Sequence, residues 1–190
     1  MPRLFSAIEL PDDIRTELRR LQCQIDGARW IEPADMHLTL RFFGEPGGHI
    51  ERELITNLAE IEHDVFPLRV LGAGAFGGND PHTVWAGIEP SPQLDALARA
   101  HEKAARNAGL APETRTYKPH ITLARLRQAR VDDVARFLSR ASGYRSAPFY
   151  VARTILMSSK PGLGGGPFAI EDIFPLRGSG YVGYDADANW

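Results

Sequence analysis

The sequence predicts an α+β protein in which antiparallel sheets carry helices on their outer faces, and three observations predict it. Short amphipathic helical stretches alternate along the chain with strand-like runs, and those runs mostly lack the unbroken apolar character of a buried parallel sheet. The chain has 190 residues, a length that fits one domain or two small lobes on a shared core. Hydrophobic residues make up 43% and charged residues 24%, so the core needs no disulfide or metal staple, and the single cysteine, Cys23, offers none.

The elements follow in order. Leu4 to Leu10 reads as an apolar opening strand. Pro11-Asp12-Asp13 supplies helix-start chemistry, and Ile14, Leu18, Leu21 and Ile25 recur at helical spacing as far as Gly27. His37 to Phe43 alternates, is rich in β-formers, and is closed by Gly44-Glu45-Pro46-Gly47-Gly48. Ile50, Leu54, Leu58 and Ile61 mark a second amphipathic helix. Strands follow near Leu68–Leu71 and Thr83–Ile88, separated by the turn-rich Gly77-Gly78-Asn79-Asp80-Pro81. Pro92 to Ala108 is an Ala-rich helix stopped by Gly109, His120 to Leu126 is a strand, and Val131, Val134 and Leu138 mark a fourth helix. Ala147 to Met157 and Phe168 to Leu176 read as a closing strand pair around a flexible loop at Gly162 to Gly166. The domain is expected to span residues 1–178, with 179–190 a polar, loose tail.

Composition excludes several classes of function. Twenty-two basic against 24 acidic residues leave a net charge of −2, so any nucleic-acid contact is local rather than a global polycationic surface. No run approaches the ~18 apolar residues of a spanning helix. Asp12 and Asp13 interrupt the N-terminus before a signal peptide could form. With one cysteine in addition, the expectation is a monomeric cytoplasmic protein with no membrane partner. Two glycine runs are decoys. Gly72-Ala73-Gly74-Ala75-Phe76-Gly77 fits a dinucleotide fingerprint in letters, but a turn follows where the helix should begin. Gly162 to Gly166 lacks the Gly-Lys-Ser/Thr ending of a P-loop.

The informative feature is an internal echo, His37-Leu38-Thr39-Leu40 and His120-Ile121-Thr122-Leu123, with the copies 83 residues apart. Side chains alternate faces along a strand, so each copy buries two apolar residues and presents an imidazole beside a hydroxyl. Metal-free phosphodiester cleavage asks for that arrangement. One neutral imidazole takes a proton from the nucleophile, and the other, charged, protonates the leaving oxygen. The threonine hydroxyls donate hydrogen bonds to non-bridging phosphate oxygens. Two rivals stand beside this reading. One is a non-catalytic nucleotide- or RNA-binding module on the same fold, against which the paired histidines argue. The other is a zinc enzyme, which would need a third ligand that the motif faces do not supply.

These motifs resemble the defining pair of the 2H phosphoesterases. The surroundings narrow the resemblance to the LigT-like RNA 2′,3′-cyclic phosphodiesterases, also called 2′-5′ RNA ligases. Arg3-Leu4-Phe5-Ser6-Ala7-Ile8-Glu9-Leu10-Pro11 is similar to that family's first strand. Arg29-Trp30-Ile31 with Met36 to Gly44, then Tyr117-Lys118-Pro119 with His120 to Arg125, are similar to its two motif blocks. The likeness covers about Pro2 to Leu176. It implies a bilobal, pseudo-two-fold fold with the histidine strands on opposite walls of a cleft. It also implies hydrolysis of RNA 2′,3′-cyclic phosphate ends to 2′-phosphomonoesters without metal or other cofactor, and joining of 2′-5′ linkages in tRNA halves. By position His37 and His120 are the acid–base pair, and Thr39, Thr122 and Arg125 the phosphate ligands. The expectation gives His37 the acid role toward the 3′ oxygen and His120 the base role, in a near-symmetric pair that exchanges roles on reversal.

Alternation from His120 puts Ala124 rather than Arg125 on the motif face, so β-strand regularity must break near Ala124 for Arg125 to reach a phosphate. Arg115, Lys118, Arg125, Arg127 and Arg130 form a basic stretch free of acidic residues, attractive to single-stranded RNA. Arg41, Phe42, Phe43, Tyr117 and Lys118 are candidate base or backbone contacts, and alternation from His37 favours Arg41 and Phe43 for the cleft and Phe42 for the core. His49, His63, His82 and His101 read as surface or packing residues.

Overall fold

The computed structural model describes residues 3–159 and 167–181. Among these, four helices and ten strands form in the order β1 (Arg3–Glu9), α1 (Asp12–Arg20), β2 (Ala28–Trp30), β3 (His37–Gly44), α2 (Gly48–Ala59), β4 (Phe66–Leu68), β5 (Val70–Phe76), β6 (Thr83–Ile88), α3 (Pro92–Asn107), β7 (His120–Leu126), α4 (Val131–Ala141), β8 (Phe149–Val151), β9 (Arg153–Ser159) and β10 (Phe168–Pro175). The strands lie in the order β10-β9-β1-β3-β7-β6-β5, with β2 paired beside β7, and every strand pairing is antiparallel. The α+β class read from the sequence is the class observed.

Two halves repeat one plan. Strand, helix, histidine strand, helix, short strand, long strand describes β1-α1-β3-α2-β4-β5 and equally β6-α3-β7-α4-β8-β9. The halves meet where β3 touches β7 through the single pair Leu38 and Ile121, both fully buried. The short strands β4 and β8 pair with each other, Phe66 with Val151 and Leu68 with Phe149. Each half lends its last strand to the other's sheet: β5 pairs with β6, and β9 pairs with β1.

The helices bury apolar stripes on one side of this sheet. Ile14 and Leu18 of α1, Leu94 and Leu97 of α3, and Val134 and Phe137 of α4 close over Ile8, Leu38, Leu40, Ile121 and Leu123. A second cluster packs Leu54 and Leu58 of α2 with Leu4 and Phe43. Fully burying one such side chain contributes about 1.5–3 kcal/mol, so together they anchor the helix side of the sheet. The opposite side carries a smaller apolar cluster of Phe5, Ala7, Ile155 and Met157.

Two expectations change. Helix α1 stops at Arg20 rather than near Gly27. Gly27 instead serves a close approach: its φ is +77°, and a Cβ there would stand 1.9 Å from the Arg127 carbonyl oxygen. The glycine run after Leu71 is neither loop nor nucleotide site, because β5 continues through it as far as Phe76. Strands β9 and β10 pair with each other, and residues 160–166, where a flexible loop was expected, lie outside the described residues; of the expected loose tail at 179–190 only Ser179–Tyr181 is described, and it forms a 3₁₀ turn. Among the described residues no helix is long and apolar enough to cross a membrane.

Candidate active site

His37 and His120 open β3 and β7, and the backbone pins both in the same way. Nδ1 of His37 lies 2.8 Å from the carbonyl oxygen of Asp35, and Nδ1 of His120 lies 2.7 Å from that of Lys118. A carbonyl only accepts, so Nδ1 carries the hydrogen in both rings and Nε2 is left to exchange protons. Each ring is also buttressed edge-on by a strand nearer the sheet's edge. Phe168 of β10 stands 4.9 Å from His37 at 88°, and Phe76 of β5 stands 5.0 Å from His120 at 87°. Asp35 ties the first arrangement together, since its side chain also accepts from the Phe168 amide at 3.2 Å.

The strand register places the hydroxyls beside these rings. Glu9 and Ala7 face His37 and Thr39, while Gly87 and Trp85 face His120 and Thr122. Each threonine therefore shares its histidine's face. After Thr122 the ladder slips, so that Trp85 faces Thr122 but Val84 faces Ala124. Leu123 and Ala124 both turn into the core, each 0% exposed, and Arg125 comes back to the histidine side. This is the break that Arg125 required. Its Nη1 donates to Thr83 Oγ1 at 3.1 Å, and its charge acts on both imidazoles.

β3 slips at the same point, and here the alternation argument fails. Ala7 faces Thr39 but Ser6 faces Arg41, so Leu40 and Arg41 both turn to the helix side. Arg41 is spent there: its Nε donates to Glu102 at 2.6 Å, its Nη2 to the Ala111 carbonyl at 2.8 Å, and it also pairs with Glu113. Phe42, expected in the core, comes round to the histidine side at 51% exposure, its ring 5.5 Å from Phe5. Phe43, expected in the cleft, is buried against α2. Phe42 thus holds in the first half the place that Arg125 holds in the second.

The remaining candidates divide. Lys118 reaches the site, its Nζ 4.6 Å above the Trp85 ring and 5.4 Å above Phe76. The Tyr117 hydroxyl donates to the Thr39 carbonyl at 3.2 Å, so the residue laces the two histidine strands together rather than standing open to a base. Arg115 is held by Glu113 at 2.9 Å, and Arg130 lines a surface groove with Asp26, Asp132 and Asp133. Sequence reasoning missed Phe5, Phe76, Trp85, Phe168 and Asp35. Trp85 carried a signal in principle, because it alternates with Thr83 and Gly87 on a strand beside β7.

Both imidazoles stand among aromatic rings, Phe5 and Phe168 at His37 and Phe76 and Trp85 at His120, and the charges of Arg125 and Lys118 act on His120. Burial lowers the His37 pKa to about 4, opposed by its bond to Asp35 and assisted by the charges of Arg15, His120 and Arg125. His120 is lowered by burial too, and by Arg125 and Lys118, though by less. Among the described residues no three His, Cys, Asp or Glu side chains gather as a metal-ligand set.

A sequence profile of the 2′-5′ RNA ligase superfamily matches residues 10–162. The chain belongs to this superfamily. An RNA 2′,3′-cyclic phosphodiesterase from Archaeoglobus fulgidus is 28% identical over 146 residues, 74% of this chain and 82% of that protein. One from Escherichia coli K12 is 32% identical over 127 residues, 65% of this chain and 71% of that protein. Among solved structures, E. coli LigT complexed with 3′-AMP superposes with a TM-score of 0.75 at 26% identity, over 93% of this chain and 99% of that one. TT0787 of Thermus thermophilus shares the fold with a TM-score of 0.76 at 23% identity, over 93% and 98% of the two chains. The superfamily's bilobal α+β architecture is the two-half sheet described above.

Proposed function

We propose that this superfamily member is an RNA 2′,3′-cyclic phosphodiesterase that works by paired imidazoles without a metal ion. One observation carries the reading: two histidines are each pinned at Nδ1 by a backbone carbonyl, which leaves Nε2 for proton exchange, and Thr39 and Thr122 share their strand faces. The relatives' shared name supports the substrate, RNA ends or nucleotides closed as 2′,3′-cyclic phosphates.

In the reaction, neutral imidazole takes a proton from water as its oxygen bonds to phosphorus. The bond from phosphorus to the 3′ oxygen breaks, and the second, charged imidazole protonates that oxygen. A 2′-phosphomonoester results, and the two rings have exchanged protonation states. Thr39, Thr122 and Arg125 hold the non-bridging oxygens as charge builds on them. The more desolvated ring, His37, is the one more readily neutral, so the free protein favours His37 as base and His120 as acid. That reverses the roles expected from the motif order. A ribose hydroxyl in place of water would make a 2′-5′ linkage by the same steps, with tRNA halves among the substrates.

The test is a chelator-treated incubation with a short RNA ending in a 2′,3′-cyclic phosphate, the product isomer being read by phosphorus NMR. A 2′-phosphate is the expected result. A 3′-phosphate would keep the two imidazoles and invert the leaving group. Absence of turnover by folded protein would replace the enzyme with a binding module.

A further inference from the structure

The two bulges that follow the histidine motifs each deliver one side chain to the cleft, and in each half the facing residue of the neighbouring strand supports it. In the first half Phe5 faces Phe42, ring to ring at 5.5 Å. In the second half Thr83 faces Arg125, and its Oγ1 accepts from Arg125 Nη1 at 3.1 Å. Thr83 is 1% exposed, so this hydroxyl is set in the body of the sheet, whereas the arginine it holds has a long and otherwise mobile stem. The same oxygen also lies within hydrogen-bond distance of His82 Nδ1, 3.1 Å away. The His82 ring in turn stacks on Phe76, which stands edge-on to His120. Arg125, Thr83, His82, Phe76 and His120 therefore form one continuous chain of contacts.

We infer that Thr83 is a positioning residue for the phosphate-binding arginine, holding the Arg125 guanidinium beside His120 so that the substrate phosphate meets a prearranged partner. The inference rests on Arg125 being a phosphate ligand of the proposed reaction. Sterically, valine in place of Thr83 would keep the buried shape and remove only the oxygen, whereas serine would keep the oxygen. Loss of one hydrogen bond to a charged group predicts a fall of about tenfold in kcat/KM for T83V. The fall is expected chiefly in KM, because the arginine's attraction to the phosphate is weakened before any bond is broken.

The experiment is a double-mutant cycle with T83V, R125A and the double variant on a nucleoside 2′,3′-cyclic phosphate, with T83S as the control for rescue. The expected outcome has T83V impaired, T83S within about twofold of the parent, and T83V without further effect once Arg125 is gone. Parent-like kinetics in T83V, or an equal loss with and without Arg125, would overturn the positioning role. If T83V proves too unstable to assay, a loss in T83S as large as that in R125A would also overturn it, and retained activity in T83S alongside an impaired R125A would support it. Full activity in R125A would instead remove the phosphate-ligand reading, and the inference with it.

Discussion

If His37 is the base of the proposed reaction, its burial should set the acid limit of catalysis, and Phe168 is the side chain through which to test it. In water an imidazole titrates near 6.5, but His37 is lowered to about 4, with burial the largest cause. The difference corresponds to about 3 kcal/mol against charging the ring in place. The pH profile of kcat/KM reports groups in the free enzyme, so its acid limb is expected near pH 4, where the neutral base becomes protonated. The alkaline limb is expected to belong to His120, whose pKa is lowered from the ordinary 6.5 by burial and by the charges of Arg125 and Lys118. The bell should therefore peak below pH 6.5. Phe168→Ala removes the ring standing 4.9 Å from His37 and admits water. The acid limb should then climb toward 6.5, narrowing the bell and lowering its peak. Nitrogen-15 NMR titration of the imidazoles would follow the same change without turnover. A wild-type acid limb already at 6.5, or a limb that Phe168→Ala leaves in place, would refute the reasoning.

Other outcomes follow from the same geometry. His37→Ala and His120→Ala should each cost roughly 10²–10⁴ in turnover while leaving the circular dichroism unchanged, and retention of a tenth of the activity by either would contradict the acid–base roles. Gly74→Ala would set a Cβ 2.2 Å from the Trp85 ring, so the indole must leave its place beside His120, and both tryptophan emission and activity should change together. His101 on α3 is 0% exposed, neither ring nitrogen has a partner among the described residues, and burial lowers its pKa to about 3. The unfolded chain takes up that proton near 6.5 and the folded one only near 3, so stability is full above pH 6.5 and is lost as pH falls through this window, at up to about 1.4 kcal/mol per pH unit. His101→Leu should flatten urea-unfolding free energies between pH 6.5 and 4.5, and an unchanged slope would count against it.

The sequence made residue identity and strand face more legible than strand register. Two His-x-Thr strands in equivalent places name imidazoles, hydroxyls and their faces, because two-residue alternation is a local property that no distant contact overrides between His37 and Thr39. Beyond the threonines, alternation ceased to be a guide. The slip at Leu40 and Arg41 reversed the readings of Arg41, Phe42 and Phe43, whereas the matching slip at Leu123 and Ala124 could be anticipated because the phosphate role that the resemblance implies for Arg125 was one that regular alternation forbade. The bulges are made by register against β1 and β6, and register is a pairing between segments far apart in the chain. The aromatic buttresses were hidden for the same reason. Phe76 and Phe168 lie on strands β5 and β10, and nothing near them in sequence says that they stand against histidines on other strands.

The exchange of last strands between the halves makes the molecule, in effect, a dimer tied by a linker. Each half holds one of the two imidazoles proposed as the acid–base pair and lacks one sheet strand, which only the other half can provide. Cutting the chain in the turn between β5 and β6 would give two fragments, one carrying β1 to β5 with His37 and one carrying β6 to β10 with His120. Neither fragment could complete its own sheet or its own reaction, so recovered turnover on mixing would report their association directly. The same topology lets two intact chains trade halves and assemble two composite clefts, each drawing one histidine from each chain.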